Sequence, residues 1–450
     1  MGTIINPPEG VLEIIRALEE NGFAAYAVGG CIRDSVMGSE PKDWDIASNA
    51  APSDVKKLFD KTVDTGEKHG TVTVILGGEP YEVTTFRIDG KYGDNRHPDS
   101  IAFTDRLEDD LCRRDFTINA MAWNPEKGII DLFGGLSDIA SHRIRTVGDP
   151  DERFGEDALR MLRAVRFAAR LNFDIDVGTF IGIRKNSNLI LNVSSERIRD
   201  ELTGILTSDY PMKLVILRHT GLMRLLLPEV DACFDTPQNN PHHVYNVGEH
   251  SLQAVEAIQK DMCLRWAMLL HDTGKAVTRT KDEYGIDHFY GHVAKSVEIS
   301  KSILRRLKFD NKSIEKITRL VKHHDMDIEL NPGAVAKAVN KAGEDIFRDL
   351  LKVKRADKSA QNRKGTAREL ECIAMVEKMY EELLAAKSCF KLEDLAVNGN
   401  DLIEIGFSEG KEIGRVLSAL LDKVLEDQSL NDRDTLIRIA RDMAASGGRG

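Results

Sequence analysis

Two short segments, taken together, limit this chain more than anything else in it: Ala27-Val-Gly-Gly-Cys-Ile-Arg-Asp34 and, nine residues on, Asp43-Trp-Asp-Ile46. Side chains on an extended strand alternate between faces, so Asp43 and Asp45 project from the same one. Two neighbouring carboxylates are the hard oxygen ligands that a pair of Mg²⁺ ions about 4 Å apart requires. Gly29 and Gly30 lack a Cβ, which lets backbone N–H groups approach phosphate oxygens, and Arg33 is placed to neutralise phosphate charge. Either segment alone reads equally well as a plain glycine turn or a solvated acidic strand end. In this order they point to nucleotidyl transfer.

At 450 residues the chain exceeds one typical domain, and about three units are expected. No apolar run is long enough to span a bilayer. The start, Met1-Gly-Thr-Ile-Ile-Asn6, carries no basic or apolar leader pattern, so secretion is not expected, and Asn6 stands where a myristoylation signal wants Ser or Thr. Six cysteines without a CxxC pair argue against a disulfide framework and fit a reducing cytoplasm. The net charge of −11 argues against a nucleic-acid partner only on average, because seven arginines fall between His142 and Arg170 and seven Lys or Arg between Lys352 and Arg368. Solvated helix faces are the alternative reading of both clusters.

The first ~140 residues alternate helix and strand. Val11–Asn21 reads as an amphipathic helix closed by Gly22, Phe23–Val28 and Trp44–Ala47 as strands, and Pro52–Phe59 as a helix. Thr71–Leu76 and Tyr81–Phe86 form a hairpin around Gly77-Gly78. Glu82 on its second strand is either a third metal-side carboxylate or an exposed strand residue. Beyond Asp149-Pro150 the pattern is helical, with 3.6-residue apolar spacing in Ala158–Leu171, Ile198–Leu206 and Leu264–Leu270. Linkers are expected at Asp235–Pro241 and Asn331-Pro-Gly333. The fold class is α+β: a mixed-sheet head at 1–145, a helical neck at 146–235, a histidine-rich helical domain at 236–360 and a helical body and tail at 361–450.

The Gly-Gly turn with Asp43-Trp-Asp45 resembles the signature of the DNA polymerase beta nucleotidyltransferase superfamily. Four further blocks follow: Glu82-Val-Thr-Thr-Phe-Arg87, Arg113-Arg-Asp-Phe-Thr-Ile-Asn-Ala-Met121, Glu156-Asp-Ala-Leu-Arg160 and Ser195-Glu-Arg-Ile-Arg-Asp-Glu-Leu202. In that order they resemble the motifs of class II tRNA nucleotidyltransferases, the CCA-adding enzymes, and of bacterial poly(A) polymerases. The resemblance implies that Asp43 and Asp45 hold catalytic Mg²⁺, and that Arg114, Asp115 and Asn119 lie along the nucleotide. It also implies that Glu156, Asp157 and Arg160 read the incoming base without a nucleic-acid template. That last role makes chemical sense. A carboxylate accepts from the exocyclic amine that cytosine and adenine share, and a guanidinium donates to ring nitrogen or carbonyl oxygen. Asp157 and Arg160, three apart, would share a helix face, where a simple ion pair is the competing interpretation.

Within the family, Thr65-Gly-Glu-Lys-His-Gly-Thr-Val-Thr-Val74 resembles the CCA-adding version, and the loop Arg87–Asp110 is of full length. An enzyme adding only the terminal A, or a bacterial poly(A) polymerase, is the alternative. CTP, ATP and tRNA are the implied partners, with no membrane role. Arg163, Arg166 and Arg170 are candidate RNA contacts. The oligomeric state is not legible.

Eight of the twelve histidines lie between positions 242 and 324. Leu269-Leu-His-Asp-Thr-Gly-Lys275, with Glu249-His250 upstream and Gly291-His292, Lys322-His-His324 and Arg355-Ala-Asp357 downstream, resembles the HD superfamily of metal-dependent phosphohydrolases. The resemblance implies His250, His271, Asp272 and Asp357 as ligands, with His292 and one or both of His323 and His324 completing a second site. Mn²⁺, Ni²⁺, Fe²⁺ or Mg²⁺ suits that mixture of imidazole and carboxylate. A degenerate helical bundle kept for packing is the other reading. Two rival functions remain: an HD phosphohydrolase with a regulatory head, and an RNA-binding module without catalysis.

Overall fold

Val11, Ile14, Ile15 and Leu18 recur at helical spacing and are all buried, which seats α1 (Glu9–Glu20) against the head. The computed structural model describes residues 5–66, 70–90, 101–239, 244–361 and 366–447. The chain forms two compact units, Met1–Pro228 and Glu229–Gly450. Among the described residues no helix is long and apolar enough to cross a membrane.

In the first unit β1 (Ala25–Val28) is apolar or aromatic at every position and wholly buried, as a central strand should be. It leads into α2 (Gly30–Val36), and then come β2 (Asp45–Ser48), α3 (Pro52–Leu58), β3 (Thr62–Gly66), β4 (Thr71–Leu76) and β5 (Glu79–Thr85). β6 (Arg87–Asp89) and β7 (Ile101–Phe103) pair with each other, and α4 (Leu107–Cys112), β8 (Met121–Asn124) and β9 (Gly128–Asp131) complete the head together with α5 (Gly135–Ala140). The seven-stranded sheet has the order β3-β4-β5-β2-β1-β8-β9. Its β2–β5 pair is parallel and its other pairs are antiparallel.

Register is what positions the site. Val28 pairs with Asp45, so the glycine turn after β1 and the start of β2 meet at one end of the sheet. Asp45 in turn pairs with Glu82, whose side chain therefore stands on the same face. β2 begins at Asp45 rather than Trp44, so Asp43 precedes the strand. Exposure still alternates from Asp43 to Ile46, with both carboxylates open and Trp44 and Ile46 buried.

After the short β10 (Arg143–Ile144) the helices α6 (Pro150–Glu156) and α7 (Arg160–Leu171) follow, then β11 (Asp174–Ile175), α8 (Val177–Asn186) and α9 (Ser195–Leu206). Asp149 caps α6, accepting from Asp151 N at 2.7 Å ahead of Pro150 in the first turn. The helix expected from Ala158 starts two residues later. Asp157 leaves the helical region (φ −136°, ψ 103°) and its carboxylate takes the Leu159 N–H, so Asp157 and Arg160 do not share one helix.

Among the described residues, the regular structure of the second unit is helical apart from the two-residue strands Thr280–Lys281 and Asp287–His288. Asn331-Pro-Gly333, expected to be a linker, is a helix start: Asn331 Oδ1 accepts from Ala334 N at the head of Pro332–Ala342. The loop tip Asp94–Pro98, Glu67-Lys-His69 and the pair His242-His243 lie outside the described residues.

Candidate functional site

The turn Val28-Gly-Gly-Cys31 is built around Gly29, which has φ 82° and ψ −128° and sits at the head of α2. Only glycine adopts that conformation without strain. Its N–H donates to Met121 O (3.1 Å). The turn, Asp45, the segment from Arg113 to Asn119 that follows α4, Asp157 between α6 and α7, and residues of α7 and α9 line one cleft of about 500 Å³. That cleft collects Gly29, Gly30, Arg33, Asp45, Arg114, Asp115, Asn119, Asp157 and Arg160 of the expected set. Asp43 is exposed just ahead of Asp45, and Glu82 stands beside Asp45 in register.

Three carboxylates converge here. Partial desolvation by the cleft walls raises the pKa of Asp45, Arg114 opposes it, and Glu82 and Asp43 add to the rise. A crowd of hard anionic oxygens beside the glycine turn is the donor set that divalent cations fit.

The arginines and acids behind the turn hold one another. Arg33 is buried, pairs with Asp34 (2.6 Å) and donates to Asn119 Oδ1 (2.6 Å), so it braces the pocket as much as it faces it. Burial lowers its pKa despite Asp34. Asn119 donates onward to Asp115 (3.1 Å), and Arg163 clamps Asp115 at 2.6–2.8 Å. Burial alone would raise Asp115, but Arg163 and Asn119 outweigh it and keep the carboxyl below its ordinary value. Asp110, fully buried, holds Arg113 (2.6 Å) and Arg114 (3.2 Å) in the same way.

Arg160 is fixed on three sides. It donates to Glu156 (2.5 Å), to Arg153 O (3.2 Å) and to Arg113 O (2.9 Å). Asp157 is held by Arg197 at 2.7 Å, so the ion pair that competes with base reading forms with a different partner. Arg163 and Arg166, expected on an RNA track, line the cleft and flank the Phe167 ring with Arg33, at 5.5, 4.9 and 5.2 Å from its centroid. Arg170 lines it too. Asp110, Phe167 and Arg197 were not singled out by sequence. The signals were present as Asp110 spaced three and four before the paired arginines, and as the Ser195–Leu202 block.

A family model described as the poly A polymerase head domain matches residues 25–145, one described as a probable RNA and SrmB-binding site of polymerase A matches 172–234, and a tRNA nucleotidyltransferase domain 2 matches 286–440. The CCA-adding enzyme of Limosilactobacillus fermentum is 34% identical over 430 residues, covering 96% of each chain. The chain belongs to the CCA-adding enzyme family. This nucleotidyltransferase family uses divalent metals, in keeping with the carboxylates at the cleft. The solved structure of the Bacillus stearothermophilus CCA-adding enzyme in complex with CTP superposes with a TM-score of 0.73 at 30% identity over 99% of both chains. The Thermotoga maritima CCA-adding enzyme complexed with tRNA shares the fold, with a TM-score of 0.62 at 22% identity over 98% of this chain and 97% of that one.

In the second unit the histidine cluster closes around Asp272. Two triads share that carboxylate, His250–His271–Asp272 and Asp272–His292–His324. Asp272 Oδ2 faces His271 (3.2 Å) and His250 (3.6 Å), and Oδ1 faces His292 (3.5 Å) and His324 (3.7 Å). Asp357 pairs with His250 at 2.9 Å. The Nδ1 atoms of His271, His292 and His324 donate to the carbonyls of Met268, Phe289 and Val321 (2.7–3.0 Å), which turns each Nε2 inward. Asp272 Oδ1 is buried and takes no hydrogen bond. Burial would lower His271, but Asp272 and Asp357 push it up to about 10, and both acids are held well below their usual range. A divalent cation would compete for the place of that proton. His323 is not part of this cluster. It is buried beside Lys322, Lys341 and Arg319, lines a separate groove, and is pushed down to about 4 by its burial and those cations.

Proposed function

We propose that this chain adds CMP and AMP from CTP and ATP to the 3′ end of tRNA, without a nucleic-acid template, in the cytoplasm. The observation that carries the reading is the meeting of Asp45, the Gly29-Gly30 turn and the separately held side chains of Asp157 and Arg160 on a single cleft. Asp43 and Asp45, with Glu82 beside them, would hold Mg²⁺, which when bound neutralises phosphate charge and acidifies the attacking 3′-hydroxyl. The glycine turn presents backbone N–H groups to the triphosphate, and Arg114 supports it from the side. Asp157 and Arg160 accept from and donate to the base edge. Arg170 contacts the RNA backbone. Head, neck, histidine-rich domain and tail follow the boundaries 145, 235 and 360.

Labelled CTP and ATP with tRNA ending at its discriminator base test this directly. Sequential C, C and A addition, lost in Asp45→Asn, is the expected result. Label only on tRNA already ending in CC would make it an A-adding enzyme, and long A tracts a poly(A) polymerase. Retained addition in Asp45→Asn would refute the site.

A second activity is favoured by the orphaned Oδ1 of Asp272 between two inward-facing imidazoles. His250, His271, Asp272, His292, His324 and Asp357 would hold Mn²⁺, Ni²⁺, Fe²⁺ or Mg²⁺, which when bound supplies Lewis-acid chemistry on a phosphate ester. Phosphate release that survives Asp45→Asn and disappears in Asp272→Asn tests it.

A further inference from the structure

Arg197 occupies the first turn of α9, a place where the helix dipole disfavours a cation. Its position follows from how α9 docks on α7. Arg197, Glu201 and Gly204 recur at i, i+4 and i+7, along one face of the helix. Glu201 is buried and takes Arg166 at 2.6 Å. A Cβ on Gly204 would stand 2.6 Å from Arg166 Cδ, so glycine is what leaves room for the Arg166 side chain to lie across α9 and reach Glu201. The same face then delivers Arg197 into the cleft, where its Nη2 donates to Asp157 Oδ2 (2.7 Å) and its Nη1 reaches Oδ1 at 3.4 Å. Leu159 N donates to Oδ1 as well, at 3.0 Å. Asp157 lies in the break between α6 and α7, outside any helix, and these two donors fix its carboxylate.

We propose that Arg197 is a positioning residue for base choice: by gripping Asp157 from the side, it aims the carboxylate at the exocyclic amine that cytosine and adenine share. The inference rests on the reading of Asp157 as the acceptor for that amine. Each carboxylate oxygen offers about two lone-pair directions, so a carboxylate held by Arg197 and Leu159 N keeps free acceptors for the base. A carboxylate released from that grip can swing aside, and uracil or guanine, which present a carbonyl oxygen at the same place, is then no longer repelled by a fixed negative charge. The forked guanidinium sets direction as well as charge, which an ammonium does not.

The test is discrimination, measured as kcat/KM for CTP over UTP on tRNA ending at its discriminator base, and for ATP over GTP on tRNA ending in CC. Asp157→Asn, Arg197→Met and Arg197→Lys are compared with the parent, and thermal unfolding is followed for each. Arg197→Met is expected to lower both ratios about tenfold or more, the scale of a lost charge-assisted hydrogen bond, with Arg197→Lys between it and the parent. If Asp157→Asn lowers the ratios and Arg197→Met leaves them intact, the positioning role is wrong while base reading by Asp157 stands. Should Asp157→Asn itself leave both ratios intact, the base-reading role of Asp157 fails and this inference with it. A parallel fall for all four nucleotides in Arg197→Met, tracking lost thermal stability, would reduce Arg197 to a scaffold residue and overturn the proposal.

Discussion

Arg114 Nη1 lies 2.8 Å from the point where a Cβ on Gly29 would stand, so the guanidinium rests directly on the bare backbone of the glycine turn. Asp110 holds Arg114 in that place from behind. The absence of a side chain at position 29 therefore serves two ends, the positive φ of the turn and the close seat of a cation.

Gly29→Ala tests this relationship. The new methyl meets the end of a flexible side chain, so Arg114 would be displaced rather than the backbone torn. The backbone strain is expected to cost about 1–3 kcal/mol of stability. Loss of both the turn geometry and the seated cation should raise KM for CTP and ATP together, about tenfold, which steady-state kinetics reads. An unchanged KM with lowered melting temperature would show that Arg114 does not act on the triphosphate.

The Asp115–Arg163 pair makes a prediction about pH. Asp115 is depressed in the fold, so the stability it lends is fully present above the ordinary carboxylate value of about 4 and fades only as pH falls below that toward the depressed one. Asp115→Asn strands Arg163, itself raised by the pair although burial opposes it, and should cost about 3 kcal/mol at pH 7. Denaturant unfolding at pH 7 and 5 should show the same gap between parent and variant, and a gap that narrows only below pH 4. A gap that shrinks between pH 7 and 5 would contradict the assignment.

Much of this was legible before the fold was known, and the failures have physical causes. The glycine turn, the paired carboxylates and the helix–strand alternation are local, and local patterns survive folding. Asp157 was misplaced because apolar spacing runs smoothly through Ala158–Leu171 and hides the carboxylate that takes the Leu159 N–H. The arginines of α7 looked like a uniform basic track because sequence does not display the acids that meet them, Asp115 from before β8 and Glu201 from α9. His323 and His324 were inseparable by sequence. Neighbours on a helix point about 100° apart, so one at most could face Asp272, and only the packing decides which.

That distinction predicts the metal content of the second unit. His324 turns its Nε2 toward Asp272, whereas His323 lines another groove. After loading with Mn²⁺ or Ni²⁺ and desalting, His324→Ala should retain clearly less metal than the parent and His323→Ala about as much, by elemental analysis. The same ions should raise the melting temperature of the parent, by mass action on the folded state, and chelation should reverse the gain. Equal metal loss in both variants would remove His324 from the ligand set.

The three arginines of α7 should also separate in their dependence on salt. Arg163 and Arg166 are each held by one close acid, and their side chains are 33% and 23% exposed. Arg170 is 47% exposed, and its pair with Asp34 is long, at 3.4 Å. A cation already neutralised at 2.6 Å by a buried carboxylate has little charge left for a phosphate, while one held loosely at the rim can exchange its partner for one. Arg170→Ala should therefore weaken tRNA binding and flatten the plot of log affinity against log salt by about one unit or slightly less, as the loss of one phosphate contact does. Arg163→Ala should instead raise KM for the nucleotide, through a loosened Asp115 and Asn119, with the salt slope for tRNA kept. The two variants thus divide one basic helix into a rim that meets RNA and a wall that shapes the nucleotide pocket, and a common change of slope in both would erase the division.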